Sequence, residues 1–227
     1  MTSTLIITAY NRQESLIQCL ESIKTCNLAD VDVFVSHDSR GPKMDTLGFR
    51  CVEQEHCVNS GDNIYHALQL AQDSDLVMFI EDDYVVEPGF VDWHREIHKQ
   101  FSPFISCADV AYVKPSNDPS DIMLSHSRCH VRAGCMSGAS IRELLLIEPW
   151  LGHFEEIVQK HLIKNKLLAV QAVMPRAHDT GAAGVNMSTR TTEFSFKNPI
   201  TPDAFHVSAD FRGRWQQDYE AQLRWGL

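Results

Sequence analysis

Apolar residues in the first part of the chain fall alternately into short runs and helical spacings. Leu5-Ile6-Ile7 is an unbroken apolar run, the pattern of a strand buried on both faces, and it enters a polar loop at Tyr10-Asn11-Arg12. Leu16, Ile17, Leu20 and Ile23 then recur at helical spacing, with Glu14, Gln18 and Glu21 on the opposite face, and this helix is expected to end near Thr25. Val31, Val33 and Val35 alternate as a second strand that runs into the loop His37-Asp38-Ser39-Arg40-Gly41-Pro42. A third strand is expected over 50–57. Ser60-Gly61-Asp62 reads as a helix start, with Ile64, Ala67, Leu68 and Ala71 as its inner face. Leu76 to Ile80 is a fourth apolar strand, ending directly in Glu81-Asp82-Asp83.

Beyond this point the pattern predicts a helix over about 89–101 and a short strand at Val110–Val113. An irregular stretch follows over 115–135. Next come an amphipathic helix near 152–164 carrying Phe154, Ile157, Val158 and Leu162, a strand at 167–173 and a loop from Pro175 to Gly184. Trp215, Tyr219 and Leu223 suggest a terminal helix. Strands alternating with helices imply an α/β domain with a mostly parallel sheet covered on both faces. Such sheets bind ligands beyond the carboxyl ends of their strands. Three polar clusters sit at such ends: Thr8–Arg12, His37–Arg40 and Glu81–Asp83.

Composition narrows the picture. With 227 residues, 44% hydrophobic and 22% charged, the chain supports one sizeable folded domain. No apolar run is long enough to span a membrane, and the N-terminus lacks the basic region of a secretory signal. The 7 cysteines are odd in number and form no CxxC, so reduced thiols in a soluble, cytoplasmic protein are expected. The net charge of −10 argues against binding nucleic acid or anionic lipid through bulk charge.

The acidic triplet carries the chemistry. Three carboxylates at the end of a buried strand repel one another and lose hydration. Such residues also occur in ordinary turns, but a divalent cation would resolve the repulsion. Mg2+ and Mn2+ take oxygen ligands, commonly one or two carboxylates together with substrate phosphates.

The order of these motifs resembles the GT-A fold of nucleotide-sugar glycosyltransferases. Thr4 to Arg12 followed by a helix looks like the opening of that fold. Val77-Met78-Phe79-Ile80-Glu81-Asp82-Asp83 resembles its strand and DxD-type motif. Val35-Ser36-His37-Asp38 and Tyr84 to Phe90 are similar to segments of the N-acetylglucosaminyltransferase I type, and Asn59 to Asn63 resembles a helix start of family-2 enzymes. The resemblance spans about 4–190. It implies a single GT-A domain over 1–190, with a donor half at about 1–115 and an acceptor half at 116–190, followed by a tail at 191–227. The activity implied is metal-dependent transfer of a sugar, with inversion at the sugar carbon, from a nucleotide-diphosphate donor such as a UDP-sugar.

The resemblance also implies residue roles. Asp83 would hold Mn2+ or Mg2+. Asp82 would face the ribose, and Glu81 the donor sugar or a neighbouring basic group. Asp38 would contact the base or ribose, Thr8, Tyr10 and Arg12 would line the base pocket, and Asn63 belongs to the donor side. Inverting transfer needs a carboxylate that takes the acceptor proton. Glu155 and Glu156 are the candidates, and Glu156 is preferred. Acids in a first helical turn are also favoured by the helix dipole alone. His178, in the loop after the 167–173 strand, is a candidate further metal ligand, or else an ordinary surface histidine.

His126, Arg128, His130 and Arg132 alternate with other residues. If extended they form one basic face, suited to a diphosphate or an anionic acceptor, or to guarding a sheet edge. Arg128 and Arg132 are therefore candidate anionic-substrate contacts. The acceptor is left open among a glycan, a protein, a small molecule and a modified nucleic-acid base. A nucleotidyltransferase and an inactive sugar-nucleotide-binding module are the competing readings, although 8–15 lacks the glycine and lysine of a phosphate loop.

Overall fold

The computed structural model describes residues 2–55, 59–109, 118, 120–126, 129–147, 154–180 and 205–211. In chain order the elements are β1 (Ser3–Ala9), α1 (Gln13–Ile23), β2 (Val31–Asp38), β3 (Arg50–Gln54), α2 (Ser60–Ala71), β4 (Leu76–Glu81) and β5 (Tyr84–Val86). They continue with α3 (Phe90–Phe101), β6 (Ile105–Cys107), β7 (Asp121–Ser125), β8 (Ala133–Ser137), α4 (Gly138–Leu145) and α5 (Phe154–Asn165). The last are β9 (Ala169–Ala172), β10 (Ala177–Asp179) and β11 (His206–Phe211).

Nine strands form one sheet in the order β11-β7-β9-β6-β8-β4-β1-β2-β3. β3, β2, β1 and β4 run parallel. β8 is antiparallel to both β4 and β6, which returns β6 and its parallel neighbour β9 to the first direction. The carboxyl ends of β1, β2, β4, β6 and β9 consequently open on one edge of the sheet. β8 begins at that same edge.

The unbroken apolar strands are explained by burial on two sides. Leu5 and Ile7 of β1, with Met78 and Ile80 of β4, pack against Leu16, Leu20 and Ile23 of α1 and Phe90, Trp93 and Ile97 of α3. Ile6, Val77 and Phe79 face the other way, onto Ile64, Ala67 and Leu68 of α2, Ile141 and Leu144 of α4, and Val158 and Leu162 of α5. Alternate residues of one strand thus feed two cores. The start of α2 is set by Asn59, whose side chain accepts from the Asp62 amide at 3.0 Å.

Several expectations are corrected. The 115–135 stretch is not irregular throughout, because it contains β7 and β8, with β8 inserted between β4 and β6. The 175–184 loop contains β10, paired antiparallel with β5. Residues 206–211, counted with the tail, form an edge strand of the main sheet, parallel to β7. The Val110–Val113 strand and the terminal helix lie outside the described residues. Among the described residues no helix is long and apolar enough to cross a membrane.

Candidate active site

The open edge of the sheet gathers side chains from five strand ends. At the β1–β2 end, the Asp38 carboxylate is 3% exposed and receives the Arg40 guanidinium, with Nε donating to Oδ1 at 2.9 Å. That bond, working against burial, holds Asp38 below the ordinary carboxylate range. The Arg40 guanidinium also lies 5.8 Å from the centre of the Tyr10 ring, which is 44% exposed. Gly41 permits the close approach of these two loops, since a Cβ there would fall 1.9 Å from the Tyr10 carbonyl oxygen. A flat, partly exposed ring beside a fixed carboxylate suits a nucleoside. Thr8 turns its hydroxyl back towards the Ile80 carbonyl at 3.5 Å.

Asn63 is placed differently from a ligand contact. It is buried, donating from Nδ2 to the carbonyls of Ala9 at 3.3 Å and Ser36 at 3.1 Å and accepting from Ser36 Oγ at 2.6 Å. Its amide ties β1 and β2 together beneath the pocket.

At the end of β4, the three acids diverge. The Asp82 amide donates to the Thr8 carbonyl at 3.0 Å, fixing the turn. Arg12 occupies the N-cap position of α1 but makes no side-chain cap bond. Its guanidinium instead bridges two carboxylates, with Nη2 on Asp82 Oδ1 and Nη1 on Asp83 Oδ2. Asp83 Oδ1 is buried without a hydrogen-bond partner. The Asp83 carbonyl accepts from the Thr180 amide at 2.7 Å and its hydroxyl at 2.8 Å, so the loop after β10 clamps this turn.

Burial dominates the proton affinities here. It pushes Asp82 up to about 6 against the pull of Arg12. Burial, seconded by the charge of Asp83, pushes Glu81 up to about 7. Asp83 is raised by burial too, opposed by Arg12 and reinforced by Asp179. Arg132 opposes this excess of negative charge from the start of β8. Its burial works against its charge, but Glu81 and Tyr84 outweigh that and hold it protonated. It also lies 3.8 Å from Asp179.

Two further acids open α5. Glu155 Oε1 accepts from Gln159 Nε2 at 2.9 Å and lies 3.9 Å from His130 Nδ1. Glu155 also acts on Asp109, whose carboxyl is buried and raised well above the ordinary range, first by burial and then by Glu155. Glu156 faces away from this group and pairs with Lys160 at 2.6 Å on the outer face of the helix. His178 is 3.9 Å from Glu87, which also pairs with the buried Arg176, while its neighbour Asp179 is the acid felt by Asp83.

The basic stripe is corrected. Residues 126 and 129–132 are not a strand, and His126 and Arg132 lie at opposite ends of the sheet. His126 bonds the Leu167 carbonyl at 2.6 Å, at the start of β9, whereas Arg132 stands at the carboxyl-end edge. Cys129 and Val131 between them are core residues. Arg128 lies outside the described residues.

Asp109 and Gln159 carry no signal in the sequence, while Arg40 and Asp179 stand out there only as members of a polar cluster and of the segment around His178. The rule that pointed to Glu81–Asp83, an acid just beyond a strand end, also fits Asp109, two residues past β6. Neither β6 nor β10 was visible as a strand, so the rule had nothing to act on. Among the described residues, no three His, Cys, Asp or Glu side chains converge as a ready-made metal site. The oxygens present instead suit an ion that completes its shell from substrate phosphates.

No family model matches this chain, and no curated protein sequence matches it. Solved structures do. S. aureus TarS 1–349 in complex with UDP-GlcNAc is similar over 85% of this chain and 62% of its own, with a TM-score of 0.62 and 13% identity. TarS 1–349 alone is similar over 80% of this chain and 61% of its own, with a TM-score of 0.57 and 12% identity. The complex with UDP gives a TM-score of 0.54 at 12% identity, over 76% of this chain and 61% of the other. The chain therefore spans about three fifths of the TarS 1–349 length. The fold is an α/β single domain of the GT-A type, as the sequence resemblance implied.

Proposed function

We propose that this chain is a glycosyltransferase that moves a sugar from a UDP-sugar to an acceptor hydroxyl, with inversion and with Mn2+ or Mg2+. The reading rests on one observation above the others. A single sheet edge carries Asp83, with an unpartnered buried oxygen, beside the partly exposed Tyr10 and the buried Asp38, and Glu155 is set apart on α5. The TarS complexes with UDP-GlcNAc and UDP support the choice of donor.

In this reading Tyr10 and Asp38 receive the nucleoside, with Arg40 holding Asp38 in place. Asp83 holds the ion, and Asp179 is better situated than His178 to assist. Such an ion, when bound, neutralises charge developing on the departing diphosphate. Arg132 offers the second positive group at that end, and Glu81 and Asp82 complete the polar wall. Glu155 takes the proton from the acceptor hydroxyl as the oxygen attacks the sugar carbon. Gln159 fixes one of its oxygens and leaves the other to work.

The test is a screen of nucleotide sugars with Mn2+, reading released nucleoside diphosphate in the presence of simple acceptors. UDP release that disappears in Asp83→Asn supports the reading. Pyrophosphate release would replace it with nucleotidyl transfer. UDP binding without turnover of any donor would replace it with a binding module.

A further inference from the structure

Arg12 occupies the position where an incoming cation has to act. Four carboxylate oxygens belong to Asp82 and Asp83. Arg12 engages one from each residue, and the Tyr10 amide donates to Asp82 Oδ2 at 3.4 Å. The fourth, Asp83 Oδ1, is buried and unpartnered. Asp83 as a whole is only 7% exposed, whereas the Arg12 side chain is 32% exposed. An ion that binds Asp83 therefore meets a carboxylate already engaged by the guanidinium. A divalent cation on either oxygen of the Asp83 carboxylate stands close to the guanidinium on Oδ2, and their repulsion weakens both interactions.

We propose that Arg12 is a latch on the acidic pair: it serves as the counter-ion while the site lacks a metal, and it must release Asp83 before a divalent cation can bind there. This rests on the reading of Asp83 as the ion-holding residue. The N-cap position makes release feasible. Arg12 supplies only its backbone carbonyl to α1, accepting from the Leu16 amide at 2.9 Å, so the side chain can swing without unwinding the helix. Once displaced, the guanidinium is a planar fork beside the ion, matched to phosphate oxygens. A diphosphate thus supplies Arg12 with a replacement partner. Metal and nucleotide binding are coupled through this exchange, and the coupling is the same in both directions.

The experiment is a titration of the protein with Mn2+, read by electron paramagnetic resonance, with and without UDP and with the signal of the free Mn–UDP complex subtracted. In the parent chain, Mn2+ alone binds weakly and UDP tightens it. Arg12→Gln should bind Mn2+ alone more tightly by roughly tenfold to a hundredfold, the equivalent of the charged hydrogen bonds no longer broken. The tightening by UDP should shrink by a similar factor. Arg12→Lys keeps a charge but cannot fork across two carboxylates, and it should fall between. Thermal melting provides a second readout. Arg12→Gln melts lower than the parent without metal, and Mn2+ raises it by more than it raises the parent. The latch is overturned if Arg12→Gln binds Mn2+ no more tightly than the parent while the parent does bind it, or if UDP tightens both equally. Should neither protein bind Mn2+ even with UDP present, the metal-dependent reading is overturned and the latch with it.

Discussion

A close approach beneath the site lies where β8 runs alongside β4. Gly134 stands directly opposite Phe79 in the antiparallel register, so the Phe79 ring lies across the space a side chain would fill. A Cβ at Gly134 would sit 2.6 Å from Phe79 Cζ and 2.8 Å from Cε2. Carbon atoms pack best at about 3.5–4.0 Å, so the ring would have to retreat by about 1 Å. Phe79 has little room, being 1% exposed and in edge-to-face contact with Phe154 at 5.3 Å between ring centres. Overpacking of this kind costs about 1–3 kcal/mol. Loss of the aromatic contact adds about 0.5–1.5 kcal/mol. Gly134→Ala is therefore expected to lose about 2–4 kcal/mol in urea unfolding, with Tm falling roughly 2–4 °C per kcal/mol.

Phe154 opens α5 and precedes Glu155, so the strain also reaches the candidate base. A misplacement of about 1 Å can lower a rate by on the order of a hundredfold. Transfer should accordingly slow while UDP affinity holds, since the residues proposed to receive the nucleoside, Tyr10 and Asp38, belong to the ends of β1 and β2. Adding Phe79→Leu restores space, so the double variant should be more stable than the sum of the single losses by at least about 1 kcal/mol. The reasoning fails if Gly134→Ala unfolds within about 0.5 kcal/mol of the parent. It fails equally if the two substitutions simply add.

Further outcomes are expected for five substitutions. Glu155→Gln should lower kcat by about a hundredfold or more at unchanged UDP affinity. Glu156→Gln should change it by about twofold at most, because an exposed pair with Lys160 contributes little; the reverse order in steady-state kinetics would exchange the two roles. Asn63→Leu leaves the carbonyls of Ala9 and Ser36 without that donor and should cost about 2–4 kcal/mol in denaturant unfolding. Asp109 has a raised proton affinity in the folded chain, so its contribution to stability is full below the unfolded pKa and is lost as pH rises towards the folded one. Asp109→Asn should therefore gain on the parent as pH goes from 5 to 8, and parallel stability curves would refute this. His98 is depressed to about 4 by burial, so the unfolded chain takes up a proton that the folded chain refuses. Stability should fall from about pH 6.5 to pH 4 by on the order of 3 kcal/mol, and His98→Gln should flatten that limb.

Legibility in the sequence followed the length and polarity of each element. β1 and β4 are long, doubly buried and rich in Leu, Ile and Val, so their apolar runs announce them. α1, α2 and α3 carry clear inner faces, and the capping asparagine of α2 lies next to its start. β8 reads Ala-Gly-Cys-Met-Ser and β10 reads Ala-His-Asp, sequences with no strand propensity to speak of. They are strands because neighbours already in place offer them backbone partners. His126 and Arg132 show the opposite case, in which an alternation suggestive of a strand places its first and last members at opposite ends of the sheet.

Local pattern alone determined that this is an α/β chain with acids just beyond a buried strand. Periodicity and strand-end polarity are written within a few consecutive residues, where sequence can be read directly. Which charges meet was decided only by the tertiary structure. Arg12, Asp83, Asp109 and Arg132 flank four different strands and Asp179 ends a fifth, and they converge because β8 inserts between β4 and β6 and because β10 returns to β5. Coulombic and burial effects at the site depend on those distances, and no spacing along the chain encodes them.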